Sequence, residues 1–571
     1  MTIPRPEHPN PQFERPDWQC LNGPWAFLID RGRSGKDRKF YLPETAYPLT
    51  ITVPFCPQSR LSGIADTDFL PAVWYRRKIT VTDSQLQNLV VLHIGACDYE
   101  TTVYVNGKEA GVHKGGYVSF SFDITPFLAI GENDLVIAAE DDERDPMIPR
   151  GKQSEEFFSH GCDYTRTTGI WQTVWLEFVP RTHIRAIRLF PDIRGSLTLE
   201  AELCGSGTLT AAATYEGRPV GTVTLKNAGG TVTLTIPLSE THLWEPGHGR
   251  LYDLTLTFGD DKVKSYFGLR SVRLDGYRFL INETSVFQRT VLDQSFNPDG
   301  IYTAPDDAFL RGDIERAMAM GFNGARLHEK IFEPRFLYHA DQLGYPVWEE
   351  YPNWGLDHTR PESVYPILHE WLEEVARDRN HPSIVGWCPF NETWDQHGCR
   401  QCDDVLRTVY RVTKAVDPTR PCIDVSGGYH VETDIYDVHD YDQNPETFRA
   451  HYDKLMETGE LHDWLGDRQH YKPGQPVFLS EYGGIRWSEG DGWGYGNAPQ
   501  TEEEFLARYR GLTEALLFNS RLFGFCYTQL TDVEQEQNGL YTYDRTPKVD
   551  PAVIRAINTQ KAAIETQEED A

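Results

Sequence analysis

The stretch from residue 306 to residue 351, DDAFLRGDIERAMAMGFNGARLHEKIFEPRFLYHADQLGYPVWEEY, decides the fold. Residues 306–322 have the apolar spacing of an amphipathic helix and end near a glycine. Residues 324–328 are short and apolar enough for a buried strand, and a helix over 334–344 precedes another strand over 345–351. Because strands that alternate with helices usually pair in parallel, the stretch predicts consecutive βα units.

The same alternation continues on both sides of that stretch. From residues 287–293, FQRTVLD, to residues 522–530, LFGFCYTQL, we predict eight strands. The six strands between these two are 324–328, 345–351, 383–390, 421–427, 434–441 and 476–482. Eight βα units over about 300 residues predict a TIM barrel, here residues 273–571.

Upstream of residue 273 the pattern is that of β-structure. Runs such as VVLHIGA and TTVYVNG are short and rich in β-branched residues, and turn signals such as Asn106-Gly107 divide them. We therefore predict a β jelly-roll sandwich over residues 1–180 and an immunoglobulin-like β-sandwich over residues 181–272.

Composition narrows the class of protein. The 55 Lys and Arg residues against 85 Asp and Glu residues give a net charge of −30, which disfavours nucleic acid and anionic membrane partners. The sequence shows no signal peptide and no run of 18 apolar residues, and its ten cysteines include several in apolar runs. We expect a cytoplasmic protein with reduced thiols. Cys399 and Cys402 form a CxxC without a second ligand pair, so we do not expect a metal site there.

Polar residues at the ends of the barrel strands are the candidates for chemistry, because active sites of TIM barrels lie at that face. Glu392 and Glu481 each follow a strongly apolar strand, the fourth and the seventh. Two carboxyl groups on either side of an anomeric carbon cleave glycosidic bonds, one as general acid/base and one as nucleophile. We predict that Glu392 is the acid/base, with a pKa raised by its neighbour, and that Glu481 is the nucleophile.

The motifs WCPFNE (387–392) and FLSEYG (478–483) resemble the strand-4 and strand-7 signatures of glycoside hydrolase family 2. The N-terminal region carries NGPW (22–25), WYRR (74–77) and GIWQ (169–172), which resemble the sugar-binding-like jelly roll of that family in the same order. The resemblance extends over nearly the whole chain. It implies a retaining, exo-acting enzyme that removes a non-reducing terminal sugar from a glycoside or oligosaccharide by double displacement.

The resemblance also implies roles for residues around the two glutamates. Asn391 is similar to the family's donor to the sugar 2-hydroxyl, Tyr441 to the tyrosine that holds the nucleophile, and Arg326 to an arginine near it. Tyr527 stands where many relatives have a tryptophan. The remaining candidates for substrate binding are His328, His439 and, in the aromatic loop 487–493, Trp487.

The nature of the sugar is the least defined property. Residues 537–540, QNGL, lack the lysine with which glucuronidases of the family bind a carboxylate, so we expect a β-galactosidase-like enzyme rather than a glucuronidase. Residues 326–330, RLHEK, depart from the galactosidase pattern, which leaves a galactofuranosidase or an arabinofuranosidase as the alternative.

A rival class is a non-catalytic carbohydrate-binding protein with the same architecture, against which the presence of both glutamates argues. We expect no nucleotide cofactor and no catalytic metal, since the sequence has no Walker-type loop and no HExxH. A structural cation and a homo-oligomer stay open.

Overall fold

The computed structural model describes residues 3–566, apart from residues 397, 467, 470, 489 and 491. The described residues form two β-sandwiches followed by a barrel. Every helix in this part of the chain is too short or too polar to cross a membrane.

The first region is a jelly-roll sandwich of two antiparallel sheets. The sheets have the orders β1-β12-β5-β9 and β3-β2-β4-β10-β7-β8, and a small β11-β6 pair lies beside them. The strands are β1 Trp18–Cys20, β2 Gly23–Ile29, β3 Leu49–Val53, β4 Ala72–Val81, β5 Leu89–Ile94, β6 Cys97–Asp98, β7 Glu100–Val105, β8 Lys108–Lys114, β9 Phe120–Asp123, β10 Gly131–Glu140, β11 Gly169–Ile170 and β12 Val174–Val179. One short helix, α1 Asp83–Leu86, and a 3₁₀ turn, Thr125–Phe127, connect them. Alternate residues of both sheets fill the core between them, which is the reason for the period-2 pattern.

The second region is an antiparallel sandwich with the order β13-β14-β16-β17, in which β15 pairs with β14. Its strands are β13 His183–Asp192, β14 Ser196–Tyr215, β15 Arg218–Pro237, β16 Tyr252–Phe258 and β17 Asp261–Phe267. The 20-residue strands β14 and β15 form one hairpin, and register shifts at their middle allow it to bend over the core. The turn residues Glu216 and Gly217 both have positive φ, as a tight two-residue hairpin requires.

A small sheet leads into the barrel. Its strands are β18 Val272–Asp275, β19 Arg278–Ile281 and β20 Thr284–Ser285. The barrel strands are β21 Gln288–Asp293, β22 Gly324–Leu327, β23 Val347–Glu350, β24 Ile384–Cys388, β25 Tyr436–Asp440, β26 Val477–Gly483 and β27 Leu522–Thr528. All pairs are parallel and run in the order β24-β23-β22-β21-β27-β26-β25. Because the first strand, β21, pairs with the last, β27, the sheet curves round as a TIM barrel. One gap remains in it, between β24 and β25.

The predicted fifth strand, residues 421–427, lies in the remaining gap beside β24 but makes only isolated bridges. Trp387 pairs with Cys422, and Asn391 pairs with Ser426. Its link to β25 includes side-chain bonds, since Ser426 Oγ donates to Asp437 over 2.8 Å. The connection to β25, residues 428–435, contains no helix, so this unit departs from the predicted alternation.

Seven helices of the barrel region surround the strands, and a short α9 follows. They are α2 Asp307–Ala319, α3 Pro334–Leu343, α4 Val364–Asp378, α5 Asp403–Val416, α6 Pro445–Glu457, α7 Glu502–Leu517, α8 Pro551–Asn558 and α9 Ala563–Thr566, with a 3₁₀ turn at Pro361–Ser363. Asp306 caps α2 by accepting from the Phe309 backbone N–H over 2.8 Å. The helix ends at Ala319, two residues before Gly321, which has a φ of 82°.

The barrel interior changes character along its axis. One part is aromatic, where Trp348 stacks on Phe478, and Phe478 stacks on Phe523, with ring centroids 5.8 Å and 5.2 Å apart. At the carboxyl ends of the strands the interior is charged and contains Arg326 and Glu350, both fully buried. The buried charges therefore lie at the face where barrel enzymes have their active sites.

Candidate functional site

The two glutamates predicted from the sequence lie side by side at that face. Glu392 follows β24, and Glu481 is within β26. Glu392, His439 and Glu481 each present one oxygen or nitrogen atom, and these atoms lie within 4.8 Å of one another. One oxygen of Glu392 and one of Glu481 are thus within 4.8 Å of each other. This distance matches the spacing of about 5–5.5 Å between the two carboxyl groups of retaining glycosidases.

Glu392 has an unusual backbone conformation, with a φ of 48°. Residues other than glycine rarely adopt it, and it costs on the order of 1–3 kcal/mol. The fifth segment of the barrel holds this conformation, because the Glu392 N–H donates to the Ser426 carbonyl and the Ser426 N–H donates to the Phe390 carbonyl, both over 2.8 Å. The irregular fifth strand thus positions the candidate acid/base.

Glu481 is held by two donors. Arg326 on β22 donates to its Oε1 over 3.0 Å, and the Tyr441 hydroxyl donates to its Oε2. The Tyr441 ring is itself fixed by face-to-face stacking on Tyr495, with centroids 3.5 Å apart. A guanidinium and a hydroxyl therefore hold the two oxygens of Glu481 in place.

Arg326 connects two other predicted residues, Glu481 and Asn391. Its guanidinium also donates to Glu350 and, over 3.2 Å, to the side-chain oxygen of Asn391. With that oxygen occupied, the amide nitrogen of Asn391 faces the site, and it is buried without a hydrogen-bond partner among the described residues. This free donor fits the expected bond to a sugar hydroxyl.

His439 lies between the two glutamates. Its Nδ1 is 2.8 Å from Glu392 Oε1 and 3.5 Å from Glu481 Oε2. Burial lowers the pKa of His439, but Glu481 and Glu392 together raise it above its ordinary value. Burial raises the pKa of Glu392, but the hydrogen bond and charge of His439, with Lys152 and Arg326, bring it below its ordinary value. The expectation from the sequence, a raised Glu392 pKa, is therefore wrong in direction. The sequence could not show that His439 would be hydrogen bonded to Glu392.

His328 is a neighbour of this cluster. Its Nδ1 is 2.9 Å from Glu350, and burial, followed by the charge of Lys152, holds its pKa well below the ordinary value. His328 is therefore a neutral imidazole at the floor of the site.

Two predicted substrate contacts lie elsewhere. Tyr527 is fully buried against Tyr482 and Tyr509, with centroids 5.5 Å and 4.9 Å away, in the layer between β27 and α7. Since side chains alternate along a strand, its successor Thr528 faces inward, and Thr528 Oγ1 is 3.1 Å from the Tyr441 hydroxyl. The prediction for Tyr527 was wrong by one residue.

Trp487 also packs on α7, with its ring 5.6 Å from Phe505, and it lines a cleft together with Asp532 and Lys548. Among the described residues, the Trp487 ring makes no contact with Glu392 or Glu481. Residues 489 and 491 of its loop lie outside the described part of the chain.

The jelly-roll region supplies one wall of the site, and this wall was not predicted from the sequence. Lys152 lies with its Nζ 3.4 Å above the ring of Trp354, and the Trp354 indole N–H donates to the Asn391 carbonyl over 3.3 Å. Lys152 is 5% exposed; burial lowers the pKa of its ammonium group, but Cys162, Glu392 and other nearby acidic groups raise it above its ordinary value. The only sequence signal was a lysine in a loop, 235 residues before the first barrel motif at residue 387 (387 − 152).

The same loop contacts the region after β27. The Tyr164 hydroxyl donates to Glu536, and Asn538 donates to the other oxygen of Glu536 over 3.0 Å. Gln529 donates to Asn538 over 2.8 Å, and Gln294 donates to both Gln529 and Tyr164 over 2.7 Å. Burial raises the pKa of Glu536, and the nearby Lys152 lowers it, with a net rise.

The atom types of Glu392, His439 and Glu481 could also hold a metal ion. However, Arg326 and Tyr441 already donate to Glu481, and His439 is bonded to Glu392. These donors would oppose a cation, so we assign none to the cluster.

Two closely spaced carboxyl groups at the strand ends of a TIM barrel are the arrangement of a glycoside hydrolase. Family models support this class in all three regions. The model described as "Glycosyl hydrolases family 2, sugar binding domain" matches residues 18–180, "Glycosyl hydrolases family 2" matches 182–270, and "Glycosyl hydrolases family 2, TIM barrel domain" matches 339–561. The chain belongs to glycosyl hydrolases family 2.

The chain is similar in sequence to proteins named β-galactosidase and to proteins named β-glucuronidase. A β-galactosidase of Thermoanaerobacter pseudethanolicus is 28% identical over 379 residues, which cover 62% of this chain and 49% of that protein. A β-glucuronidase of Paenibacillus borealis is 23% identical over 597 residues, covering 94% and 96%. The chain spans about half the length of the first curated relatives that it matches.

Among solved structures, a Lactobacillus rhamnosus β-glucuronidase is similar with a TM-score of 0.80 and 20% identity, covering 99% of this chain and 100% of that one. At this identity the likeness shows the fold.

Proposed function

We propose that the protein is a retaining, exo-acting glycosidase in which Glu481 is the nucleophile and Glu392 is the general acid/base. The observation that carries the proposal is the approach of the two carboxylates to within 4.8 Å, bridged by His439. This spacing leaves no room for a water molecule opposite the leaving group, which an inverting enzyme requires. Arg326 and Tyr441 both donate hydrogen bonds to Glu481, which favours this assignment of the two roles.

The reaction would proceed in two steps. First, an oxygen of Glu481 attacks the anomeric carbon while the bond to the leaving oxygen breaks, and Glu392 gives its proton to that oxygen. Second, a water oxygen attacks the same carbon, its proton passes to Glu392, and the bond to Glu481 breaks. His439 can supply Glu392 with its first proton, because the two are hydrogen bonded over 2.8 Å.

As to the sugar, we propose a neutral, β-galactoside-like terminal residue. The support comes from residues 537–540, QNGL, which lack the lysine of the family's glucuronidases, and from the adjacent carboxyl group of Glu536, which accepts a hydrogen bond from Asn538. A carboxyl group at this position would repel a substrate carboxylate if ionised. A galactofuranoside or an arabinofuranoside is compatible with the same groups.

A β-glucuronide is the second candidate. It is favoured by the names of several relatives and by the buried ammonium group of Lys152, which lies near enough to Glu392 to act on its charge. A substrate carboxylate would pair with that ammonium group.

A panel of nitrophenyl glycosides decides between these sugars. The panel contains β-galactoside, β-glucuronide, β-galactofuranoside and arabinofuranoside, and we expect the β-galactoside to give the highest kcat/KM. Proton NMR of the first-formed sugar should show the anomer of the substrate, and Glu481→Gln should lose the first step on every substrate. An inverted anomer, or activity retained by Glu481→Gln, would overturn the mechanism.

We further propose that the protein needs no metal or nucleotide cofactor and that it works in the cytoplasm. Arg326 and His439 can already perform the charge stabilisation and proton transfer that the reaction needs. All ten cysteines are free thiols, which suits a reducing compartment. Loss of activity after dialysis against a chelator, restored by one divalent ion, would contradict the first point.

A further inference from the structure

The two glutamates differ in their exposure to solvent. The Glu392 side chain is 22% exposed, whereas that of Glu481 is 6% exposed. Glu481 therefore lies at the floor of the site, and Glu392 lies on its open side. If Glu392 protonates the leaving oxygen, as in the proposed function on which this inference rests, the leaving group must lie on the open side as well.

Three aromatic residues lie next to Glu392 on that side. Trp394 is two residues along the chain, and its ring centroid is 5.5 Å from Trp464 and 5.9 Å from Tyr429. We call these three residues the aglycone platform. Trp464 is 61% exposed, the only tryptophan among the exposed large hydrophobic residues of the described chain.

The aglycone platform is fixed to the catalytic residues. The indole N–H of Trp464 donates to the carbonyl of His439 over 3.2 Å, and His439 bridges the two glutamates. On the other side, Thr393 is fully buried and donates to Gln401 over 2.6 Å, which anchors the segment between Glu392 and Trp394. The guanidinium of Arg468 covers the outer face of Tyr429 at 4.4 Å.

Such a surface has a specific chemical use. An exposed indole leaves a large apolar face in water, which is unfavourable unless a ligand covers it. The C–H faces of a pyranose ring are apolar and flat, whereas its hydroxyl groups point outward and remain solvated. A methyl group or a small alcohol is too small to cover two rings.

We propose that the aglycone platform is a binding subsite for the sugar ring next to the cleaved bond, so that the natural substrate is an oligosaccharide. The platform holds the leaving sugar by stacking, with Trp464 as its main contact. It acts on the leaving group only and makes no contact with the terminal sugar.

The test compares two substrates that share the terminal sugar. Lactose places a glucose ring in the subsite, and methyl β-galactoside leaves it without a ring; cellobiouronic acid and methyl β-glucuronide form the equivalent pair for a uronide. We expect Trp464→Ala to lower kcat/KM about tenfold more for the disaccharide than for the methyl glycoside. Trp464→Phe should restore most of the loss.

Tyr365→Ala is the matched control, because Tyr365 on α4 is a 74% exposed aromatic residue outside the platform. It should change neither substrate. Equal losses of Trp464→Ala on both substrates, or no loss on the disaccharide, overturn the subsite.

Binding separates the subsite from the proposed reaction. In Glu481→Gln, calorimetry should give an affinity for the disaccharide about tenfold lower when Trp464→Ala is added, with no change for the methyl glycoside. A protein that hydrolyses neither substrate would contradict the proposed function, while the binding result would still decide on the subsite. An unchanged disaccharide affinity overturns it.

Discussion

Asn391 is the residue whose environment most clearly anticipates a ligand. Its backbone N–H donates to Asn353 over 2.6 Å, and its side-chain oxygen accepts from Arg326 over 3.2 Å. Both contacts fix the amide so that only its nitrogen is free. A donor held in advance, at no reorganisation cost, stabilises a transition state better than one that must reorient.

We expect Asn391→Ala to lower kcat by about 100-fold and to change KM much less, because a bond to the 2-hydroxyl strengthens in the oxocarbenium-like transition state. Steady-state kinetics on the nitrophenyl substrate measures both. A 2-deoxy glycoside is the control, since it lacks the hydroxyl and should be hydrolysed equally by both enzymes. An unchanged kcat would remove Asn391 from the site.

Lys152 should influence the pH dependence of activity. Burial raises the pKa of the Glu392 carboxyl, His439 lowers it, and the nearby charge of Lys152 adds a smaller lowering. Removing the ammonium in Lys152→Met should raise the Glu392 pKa and move the basic limb of kcat/KM upward, on the order of half a pH unit to one unit. Lys152→Arg keeps the charge and should keep the limb in place. A limb that stays fixed or moves downward in Lys152→Met contradicts this role.

The site residues that could be predicted from the sequence are reactive side chains that come directly after an apolar strand. Glu392 and Glu481 were predicted in this way, and the structure brings them together because the carboxyl ends of all barrel strands lie at one face. Tyr527 was misassigned because the inward face of β27 depends on register, and a one-residue error reverses it. Lys152 could not be found, because its place depends on the packing of two regions distant in sequence.

At the scale of elements, the loop around residues 150–164 docks the jelly roll onto the barrel. The backbone N–H groups of Arg150 and Gly151 donate to the Trp354 carbonyl over 2.8 Å and 3.2 Å. Gly151 has a φ of 55°, and a Cβ there would lie 2.5 Å from the Glu329 carbonyl oxygen. Only glycine allows this approach, which brings Lys152 over Trp354.

Gly151→Ala should therefore displace the loop and lower kcat/KM by about tenfold or more, while the melting temperature falls by only a few degrees. Gly161→Ala is the control, because Gly161 lies in the same loop with a φ of 49° but has nothing within 4 Å of a Cβ. Both variants carry the backbone strain, and only the first carries the clash. Equal activities would mean that the docking of this loop does not position the site.

The pattern of elements was largely predictable, because burial on both faces makes barrel strands continuously apolar and amphipathic helices separate them. The fifth strand was the exception. Residues 421–427 read as a strand, but they form only isolated bridges, and residues 428–435 replace the expected helix. Their role is to hold the backbone of Glu392, a tertiary contact that local sequence does not encode.

At the scale of the whole molecule, a buried carboxyl group links the jelly roll to the barrel. Glu370 on α4 accepts from the backbone N–H groups of Tyr117 and Val118 over 2.7 Å and 3.3 Å, and from the Tyr351 hydroxyl over 3.0 Å. Burial raises the pKa of Glu370 to about 7, although these donors lower it in part.

This linkage should make stability depend on pH. The folded protein holds a proton on Glu370 that the unfolded chain, with an ordinary pKa of 4.5, releases. The contribution is complete below about pH 4.5 and is lost as pH rises through about 7, by up to about 3 kcal/mol. Glu370→Gln is always neutral, so its melting temperature relative to the wild type should increase from pH 5 to pH 8. Glu457→Gln, which changes an exposed carboxyl group at the end of α6, is the control. A difference for Glu370→Gln that does not vary with pH would contradict the linkage.

The contribution of Lys152 and Tyr164 from the jelly roll has a consequence for how such an enzyme can change. The barrel holds the two glutamates, and a separate sandwich supplies part of the wall beside them. Substitutions in loop 150–164 can therefore alter which sugar is accepted while the bond-breaking groups keep their geometry. Laboratory evolution toward a new glycoside should accordingly collect its first useful mutations outside the barrel.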